Sequence, residues 1–176
     1  MGFSGKRIIY TIGHSTLSAS RIAQVMESLG STVLVDVRRW ASSLRNPEAS
    51  RQVLESEMRA RGLGYVHIPA LGGYRTFGRD VPEALSTEFA CYQARGFNAY
   101  AAYLATNPQA WRSLELIVYL AIQGAKPTVM CSERLPWRCH RKVIAEWLSY
   151  RGFKVIHYVD GKLVEHRPGR CRALAH

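Results

Sequence analysis

Acidic residues are scarce in this chain of 176 residues: 13 Asp and Glu face 24 Lys and Arg, for a formal net charge of +11 and a pI near 9.9. That imbalance favours a polyanionic partner, nucleic acid first and DNA ahead of RNA. Arginine far outnumbers lysine, and its planar guanidinium suits bidentate contact with phosphate. The competing explanation is a solvated basic surface with no partner. Long apolar runs are missing as well. No stretch approaches the ~20 residues of a membrane span, and "MGFSGKRIIYTIG" is too short and broken in its apolar part for a signal peptide. A cytoplasmic protein without membrane contact is expected; the Met-Gly start matches a myristoylation signal only weakly. Cysteine is sparse too: Cys91, Cys131, Cys139 and Cys171 are irregularly spaced and make a poor disulfide framework. Repeats, linkers and low-complexity tracts are absent, so residues 1–176 are expected to form one domain, with residues 167–176 a loose basic tail.

What is present is an alternation of apolar runs and helical patterns. "RIIYTIG" (7–13) is a strand candidate, and Ile22, Val25, Met26 and Leu29 then recur at helical spacing before Gly30. "TVLVDV" (32–37) is a second strand, so the segment forms a βαβ unit and a parallel sheet follows. "GYVHIPAL" (64–71), "KPTVMC" (126–131) and "FKVIHYV" (153–159) are further strands, and "GKLVEH" (161–166) is a hairpin or edge strand. The pattern is helical from Glu83 to about Gly124, with a break at "TNPQ" where Pro108 suits a first turn, and again over "WRCHRKVIAEWLSYRG". The expected fold is α/β, a single domain with a mainly parallel sheet and helices on both faces.

In open parallel sheets, ligands gather beyond the carboxyl ends of the strands, where four polar clusters fall. "GHST" (13–16) places His14 and Ser15 after the first strand. There Ser15 or Thr16 caps the helix, or free N–H groups hold a phosphate with His14 as an acid–base group. "DVRR" (36–39) places Asp36 and Arg38 on one side of a strand end, as a structural ion pair or as a carboxylate kept ionised for catalysis. "LGGYR" (71–75) supplies Gly72, Gly73, Tyr74 and Arg75. "CSERLPWRCHR" (131–141) supplies Cys131, Glu133, Trp137, Arg138, His140 and Arg141. Zinc is not expected there, because C-x7-C-H lacks the short spacings of structural sites. Cys131 is a candidate thiolate before an electropositive loop, or a buried thiol that only packs. Trp40, Tyr74, Phe77 and Trp137 lie among these polar loops and could stack on a base.

Taken in order, "TIGHST", "VDVRRWASSLRNPEAS", "GYVHIPALGGYR", "CSER" and "CHRKVIAEWL" resemble the DUF488 family over about residues 8–160. The resemblance implies an α/β fold and puts His14, Ser15, Asp36, Arg38, Gly72, Gly73, Arg75, Cys131, Glu133, Cys139, His140 and Arg141 on signature positions. It implies no defined reaction. "NPEAS" departs from the aromatic that the family often carries after this proline. A fainter similarity, "VLVDVR" followed much later by a strand ending in Cys, is to rhodanese-like sulfurtransferases. Against it, "CSERLPWRC" lacks the glycine of such loops and Pro136 removes a donor.

These residues lead to an expected nucleic-acid enzyme acting on a base or glycosidic bond, a repair hydrolase of DNA glycosylase type. Its catalytic groups would be Asp36, Glu133 and His14, and it would need no cofactor. The substrate would meet Ser15, Arg38, Trp40, Gly72, Gly73, Tyr74, Arg75, Cys131, Trp137, Arg138, His140 and Arg141. His14, Asp36, Arg38, Arg75, Glu133 and Arg141 are expected to line one cleft. The alternatives are thiol-based sulfur or phosphate chemistry at Cys131 and a non-catalytic nucleic-acid-binding module. All the nucleic-acid readings predict binding that weakens by an order of magnitude or more between ~50 and ~200 mM salt. Affinity undetectable at low salt, measured by fluorescence anisotropy, would remove the polyanion reading.

Overall fold

Apolar, β-branched runs build the sheet. In a computed structural model that describes residues 5–176, they form strands β1 (Ile8–Gly13), β2 (Val33–Asp36), β3 (Gly64–His67), β4 (Pro127–Cys131) and β5 (Lys154–Val159). The Met-Gly start lies outside the described residues. A sixth strand, β6 (Lys162–Glu165), returns antiparallel to β5 through Asp160-Gly161. Both turn residues have positive φ (51° and 82°), the geometry that a tight hairpin requires. The strand order is β3-β2-β4-β1-β5-β6, parallel throughout except for β6.

Alternating side chains send two cores to opposite faces. On one face Ile12, Leu34 and Met130 pack against Ile22 and Met26 of α1 (Ala19–Ser28) and Leu54 and Met58 of α2 (Arg51–Ala60). On the other, Ile9, Val35, Val129 and Val155 pack against α3 (Arg95–Thr106), α4 (Pro108–Ile122) and α5 (Arg141–Tyr150). Helices therefore cover both faces, as the βαβ pattern requires. Pro108 opens α4, with Asn107 capping the Gln109 and Ala110 N–H groups. No helix among the described residues is long and apolar enough to cross a membrane.

The topology creates one natural crevice. Neighbouring strands β1 and β4 send their chains in opposite directions, β1 through α1 to β2 and β4 through α5 to β5. The onward connections diverge there, which is where α/β sheets bind ligands. The β1–β4 ladder continues one step beyond the strands, with His14 N–H on the Cys131 carbonyl (2.8 Å) and Ser15 N–H on the Ser132 carbonyl (3.0 Å). A side chain at Gly13 would overlap the Glu133 carbonyl, so glycine alone permits this approach.

Four expectations need correction. Cys91 and Cys171 form a disulfide (S–S 2.06 Å). The tail is not loose: Cys171 is buried and residues Arg172–Ala175 form a 3-10 turn. The cause is Glu146 of α5, a carboxylate 1% exposed that must find donors. The Gly169 and Cys171 N–H groups, the Tyr150 hydroxyl and His166 supply them. The helical pattern drawn from Glu83 breaks after a short turn at Glu83–Ser86, and α3 starts only at Arg95. In between, the Asn98 side chain binds the Cys91 and Tyr92 backbone and holds it irregular. The third strand stops at His67, because Pro69 begins a 3-10 turn.

Burial alone would raise the Glu146 pKa, but hydrogen bonds from His166, the two N–H groups and Tyr150 outweigh it and lower the value from 4.5 to about 2. A folded value below the unfolded one adds stability that is complete above pH ~4.5 and fades as pH falls toward about 2. Glu146→Gln is expected to lower the melting temperature at neutral pH and to flatten its decline across that window, as read by thermal melts at stepped pH.

Candidate active site at the β1–β4 crevice

The carboxyl ends of β1, β2 and β4, with the loops after β3 and before α5, enclose a cleft of about 840 Å³. His14, Ser15, Arg38, Trp40, Gly73, Tyr74, Cys131, Glu133, Arg138 and His140 line it. Asp36, Gly72, Arg75, Trp137 and Arg141, expected beside them, do not. Of the six side chains expected to share one cleft, the crevice collects His14, Arg38 and Glu133.

Asp36 lies behind the wall. It is fully buried, accepts two hydrogen bonds from the Arg38 guanidinium (2.9 and 2.7 Å) and takes another from Tyr65 (2.6 Å). This carboxylate therefore orients Arg38, whose Nη1 is turned to His14 Nε2 at 3.2 Å. His14 Nδ1 meets the Ser15 carbonyl at 3.0 Å, so the consistent tautomer carries its proton on Nδ1 and accepts from Arg38 at Nε2. Burial, aided by Arg38 and Arg141 and only partly offset by the Ser15 carbonyl and Asp36, lowers the His14 pKa below its ordinary value. The imidazole is neutral at physiological pH.

The phosphate site expected at "GHST" is not open at its first two N–H groups, since the His14 and Ser15 amides bind the β4 end. Neither Ser15 nor Thr16 caps α1; Ser18 does, accepting the Arg21 N–H. Ser15 instead takes positive φ (43°), with its carbonyl held by His14 and by Asn46 Nδ2. Across the cleft Tyr74 also has positive φ (61°), and its ring is 84% exposed. Backbone in this region costs about 1–3 kcal/mol per residue and clusters at functional sites.

The two glycines serve close approach. A Cβ at Gly72 would come within 2.6–2.8 Å of Arg39, and one at Gly73 within 2.9 Å of His140 Nδ1. Arg75 packs over the Tyr103 ring, 3.9 Å from its centre, and faces Asp80.

The floor of the cleft holds two free thiols, Cys131 and Cys139. Cys139 lies one residue before the His140 N-cap of α5, and its sulfur accepts the Arg141 N–H (3.5 Å), with His140 Nδ1 at 3.6 Å. Burial would raise its pKa, yet the Cys131 thiol, the His140 imidazole and Arg141 together bring it well below the ordinary thiol value. Cys131 moves the other way: burial and the neighbouring Cys139 charge raise it, and the Glu133 carbonyl lies 3.8 Å from its sulfur. The two sulfurs are thus pushed in opposite directions, Cys139 toward the thiolate and Cys131 toward the thiol. Arg141 is fully buried and donates to the Glu133 and Arg134 carbonyls and to Thr11 Oγ1. Among the described residues no carboxylate lies within ion-pair distance of it. A buried cation favours a nearby anion, and Arg141 is among the groups that lower the Cys139 pKa.

Cys139, placed on a signature position by the resemblance, was given neither a catalytic nor a substrate-binding role, although its position just before an arginine-bearing helix start is a readable signal. Arg39, Arg45 and Tyr100, which also line the cleft, were missed. Trp137 stands on the outer side of the 132–140 loop, 54% exposed. Among the described residues no three His, Cys, Asp or Glu side chains converge as a set able to hold a metal ion.

The Asp36–Arg38 pair yields a stability prediction. Asp36→Asn removes the charge and leaves a buried guanidinium uncompensated, so a loss of about 3 kcal/mol is expected from denaturant unfolding. A loss below about 1 kcal/mol would mean that water reaches Arg38 and that the carboxylate is not its main anchor.

A family model described as "Domain of unknown function DUF488" matches residues 18–148. This segment holds Asp36, Arg38, both free thiols and Arg141, but leaves out β1 with His14 and the docked tail. No curated protein and no solved structure matches the chain.

Proposed function

The chain belongs to the DUF488 family, a domain of unknown function, and on its own residues we propose that it is an enzyme of thiol-based group transfer acting on nucleic acid. The observation that carries this reading is the Cys139 sulfur, set at the start of α5 beside a buried Arg141 that has no carboxylate. Helix N-termini and adjacent cations lower thiol pKa values and make the thiolate nucleophilic at neutral pH.

In the proposed step, a sulfur electron pair of Cys139 forms the bond to an electrophilic sulfur or phosphorus atom of the substrate. The bond to the leaving group breaks, and that group departs with its electron pair. Cys131 supplies the proton that the departing group takes up. Water then releases a phosphoryl group from Cys139, or an acceptor nucleophile removes a sulfur atom. Arg38 faces the same cleft with an N–H toward His14, where it can hold an anionic oxygen. Arg39, Arg45 and Arg138 on the walls, together with exposed Trp40 and Tyr74, support a nucleic-acid substrate whose base stacks while its phosphates pair.

Cleavage of a glycosidic bond by carboxylates has less behind it. Asp36 spends its lone pairs on Arg38 and Tyr65, and the Glu133 carboxylate accepts its own loop's Leu135 N–H at 3.2 Å.

Two measurements test the proposal. Iodoacetamide should label Cys139 with a pH midpoint clearly below the ~8.5 of an ordinary thiol, and Arg141→Gln should move that midpoint up. In a screen of thiolated and phosphorylated oligonucleotides, Cys139→Ser should lose at least ~100-fold in turnover and Cys131→Ser less. Activity that survives Cys139→Ser but fails in Glu133→Gln would favour the carboxylate enzyme. Binding without any turnover would leave the non-catalytic module.

A further inference from the structure

A second cleft, of about 1130 Å³, lies between the loop before α5 and the β5–β6 hairpin. It shares Ala94, Phe97 and Arg138 with the first, so the two adjoin along one wall. Four cations line it: Arg138, Lys142, Arg167 and Arg170. Its carboxylates are already committed. Glu146 accepts from His166, Tyr150 and two backbone N–H groups, and Glu165 lies 3.4 Å from Lys154. None of the four cations has a carboxylate within ion-pair distance among the described residues.

Lys142 makes the imbalance concrete. Its ammonium sits over the Phe97 ring (3.7 Å) and donates to the Trp137 carbonyl (2.9 Å). Burial first and then the like charge of Arg170 push its pKa down, against a smaller upward pull from Cys139. In the lining of this second cleft Trp137 offers an exposed ring. Unpaired cations that converge on a concave surface, with a flat aromatic beside them, fit a phosphodiester chain whose bases are free to stack. A duplex keeps its bases stacked on one another and has none to offer to Trp137.

We infer that the second cleft binds single-stranded nucleic acid, holding the phosphates that extend beyond the reactive nucleotide in the first cleft. This rests on the nucleic-acid reading proposed above and adds the strand form, the second site and the residues Arg167 and Arg170. Both arginines are exposed and belong to neither the thiol site nor its walls.

The experiment uses fluorescence anisotropy with 5′-labelled oligothymidylates of ~4 and ~16 nucleotides and a ~16-base-pair duplex, on the full chain and its Arg167→Ala/Arg170→Ala variant. Circular dichroism checks that both proteins are folded. Wild type is expected to bind the longer strand at least ~10-fold more tightly than the shorter one and than the duplex. The variant is expected to lose most of that advantage, to keep its affinity for the short strand, and to lower the salt slope on the long strand by about 1.4 for two lost contacts. Tight length-dependent binding that the variant leaves unchanged overturns the second site while sparing the first. Equal loss for duplex and single strand overturns the strand form. Absence of binding to every probe at low salt overturns the nucleic-acid reading, and this inference with it.

Discussion

A guanidinium buried without a carboxylate is the constraint from which the rest of the site follows. Arg141 sits in the first turn of α5, where the helix dipole already disfavours a cation, and it has no solvent exposure. Its donors fix what surrounds them: the Glu133 and Arg134 carbonyls set the path of the loop after β4, and Thr11 ties the helix to β1. Two further sets of contacts surround the residue. On the cleft side its backbone N–H donates to the Cys139 sulfur. On the other, hydrogen bonds run from Thr11 to His157 (2.7 Å), from His157 to His166 (3.2 Å) and from His166 to Glu146 (2.9 Å). His157 is neutral within this chain, since burial, assisted by His166 and Arg141, lowers its pKa to about 3. Thr11 can thus donate to Nδ1 while Nε2 donates onward. The same Glu146 gathers the backbone of the C-terminal segment, so the chain of hydrogen bonds that begins at Arg141 ends at the docked tail.

Arg38, on the opposite wall, shows the contrasting solution. It is buried to a similar degree but has a bidentate carboxylate, so it is electrically complete and can spend its remaining N–H on His14. The contrast decides which acidic group is free for chemistry. Asp36 is committed, and removing one partner of such a pair costs about 3–5 kcal/mol. The Cys139 sulfur, its pKa lowered, accepts the Arg141 backbone N–H and stands 3.6 Å from His140 Nδ1, outside any ion pair with a carboxylate-bound cation. On the proposed reading the catalytic weight therefore moves from the carboxylate at the end of β2 to the sulfur before α5, although Asp36 is the more conspicuous residue in the sequence.

Much of this fold was legible because each buried parallel strand is a short apolar run and each helix repeats its apolar face every three to four residues. The clusters after β1, β2 and β4 did meet at one crevice, since carboxyl ends of parallel strands share one edge of the sheet. What escaped depended on partners distant in the chain. The tail looked loose because its sequence is polar, and only Glu146, some 23 residues earlier, gives its N–H groups an acceptor. The Cys91–Cys171 pairing joins residues 80 apart, and spacing alone cannot show that. The hydroxyl that caps α1 was misplaced by two or three positions because "STLSAS" offers several candidates and only the bond from Ser15 to Ser132 disqualifies the first. Arg75 followed a strand end like the others, but its guanidinium turned onto the Tyr103 ring, a preference of packing that no local pattern encodes.

The loops around the crevice carry a cost that the core does not explain. Ser15 is held at positive φ by identifiable bonds to its carbonyl from His14 and Asn46. Tyr74 has the same backbone penalty with its ring turned out into solvent, next to Gly73, whose missing side chain makes room for His140. A tyrosine that served only to pack would have its ring inside and its backbone relaxed. This one lines the cleft together with Trp40, and Gly73 beside it leaves room for His140, whose Nδ1 lies 3.6 Å from the Cys139 sulfur. The exposed ring and the packing of His140 thus meet at two adjacent residues, Gly73 and Tyr74. On the proposed reading, a substrate that stacks on the Tyr74 ring would bear on the same short loop that packs against the imidazole beside Cys139.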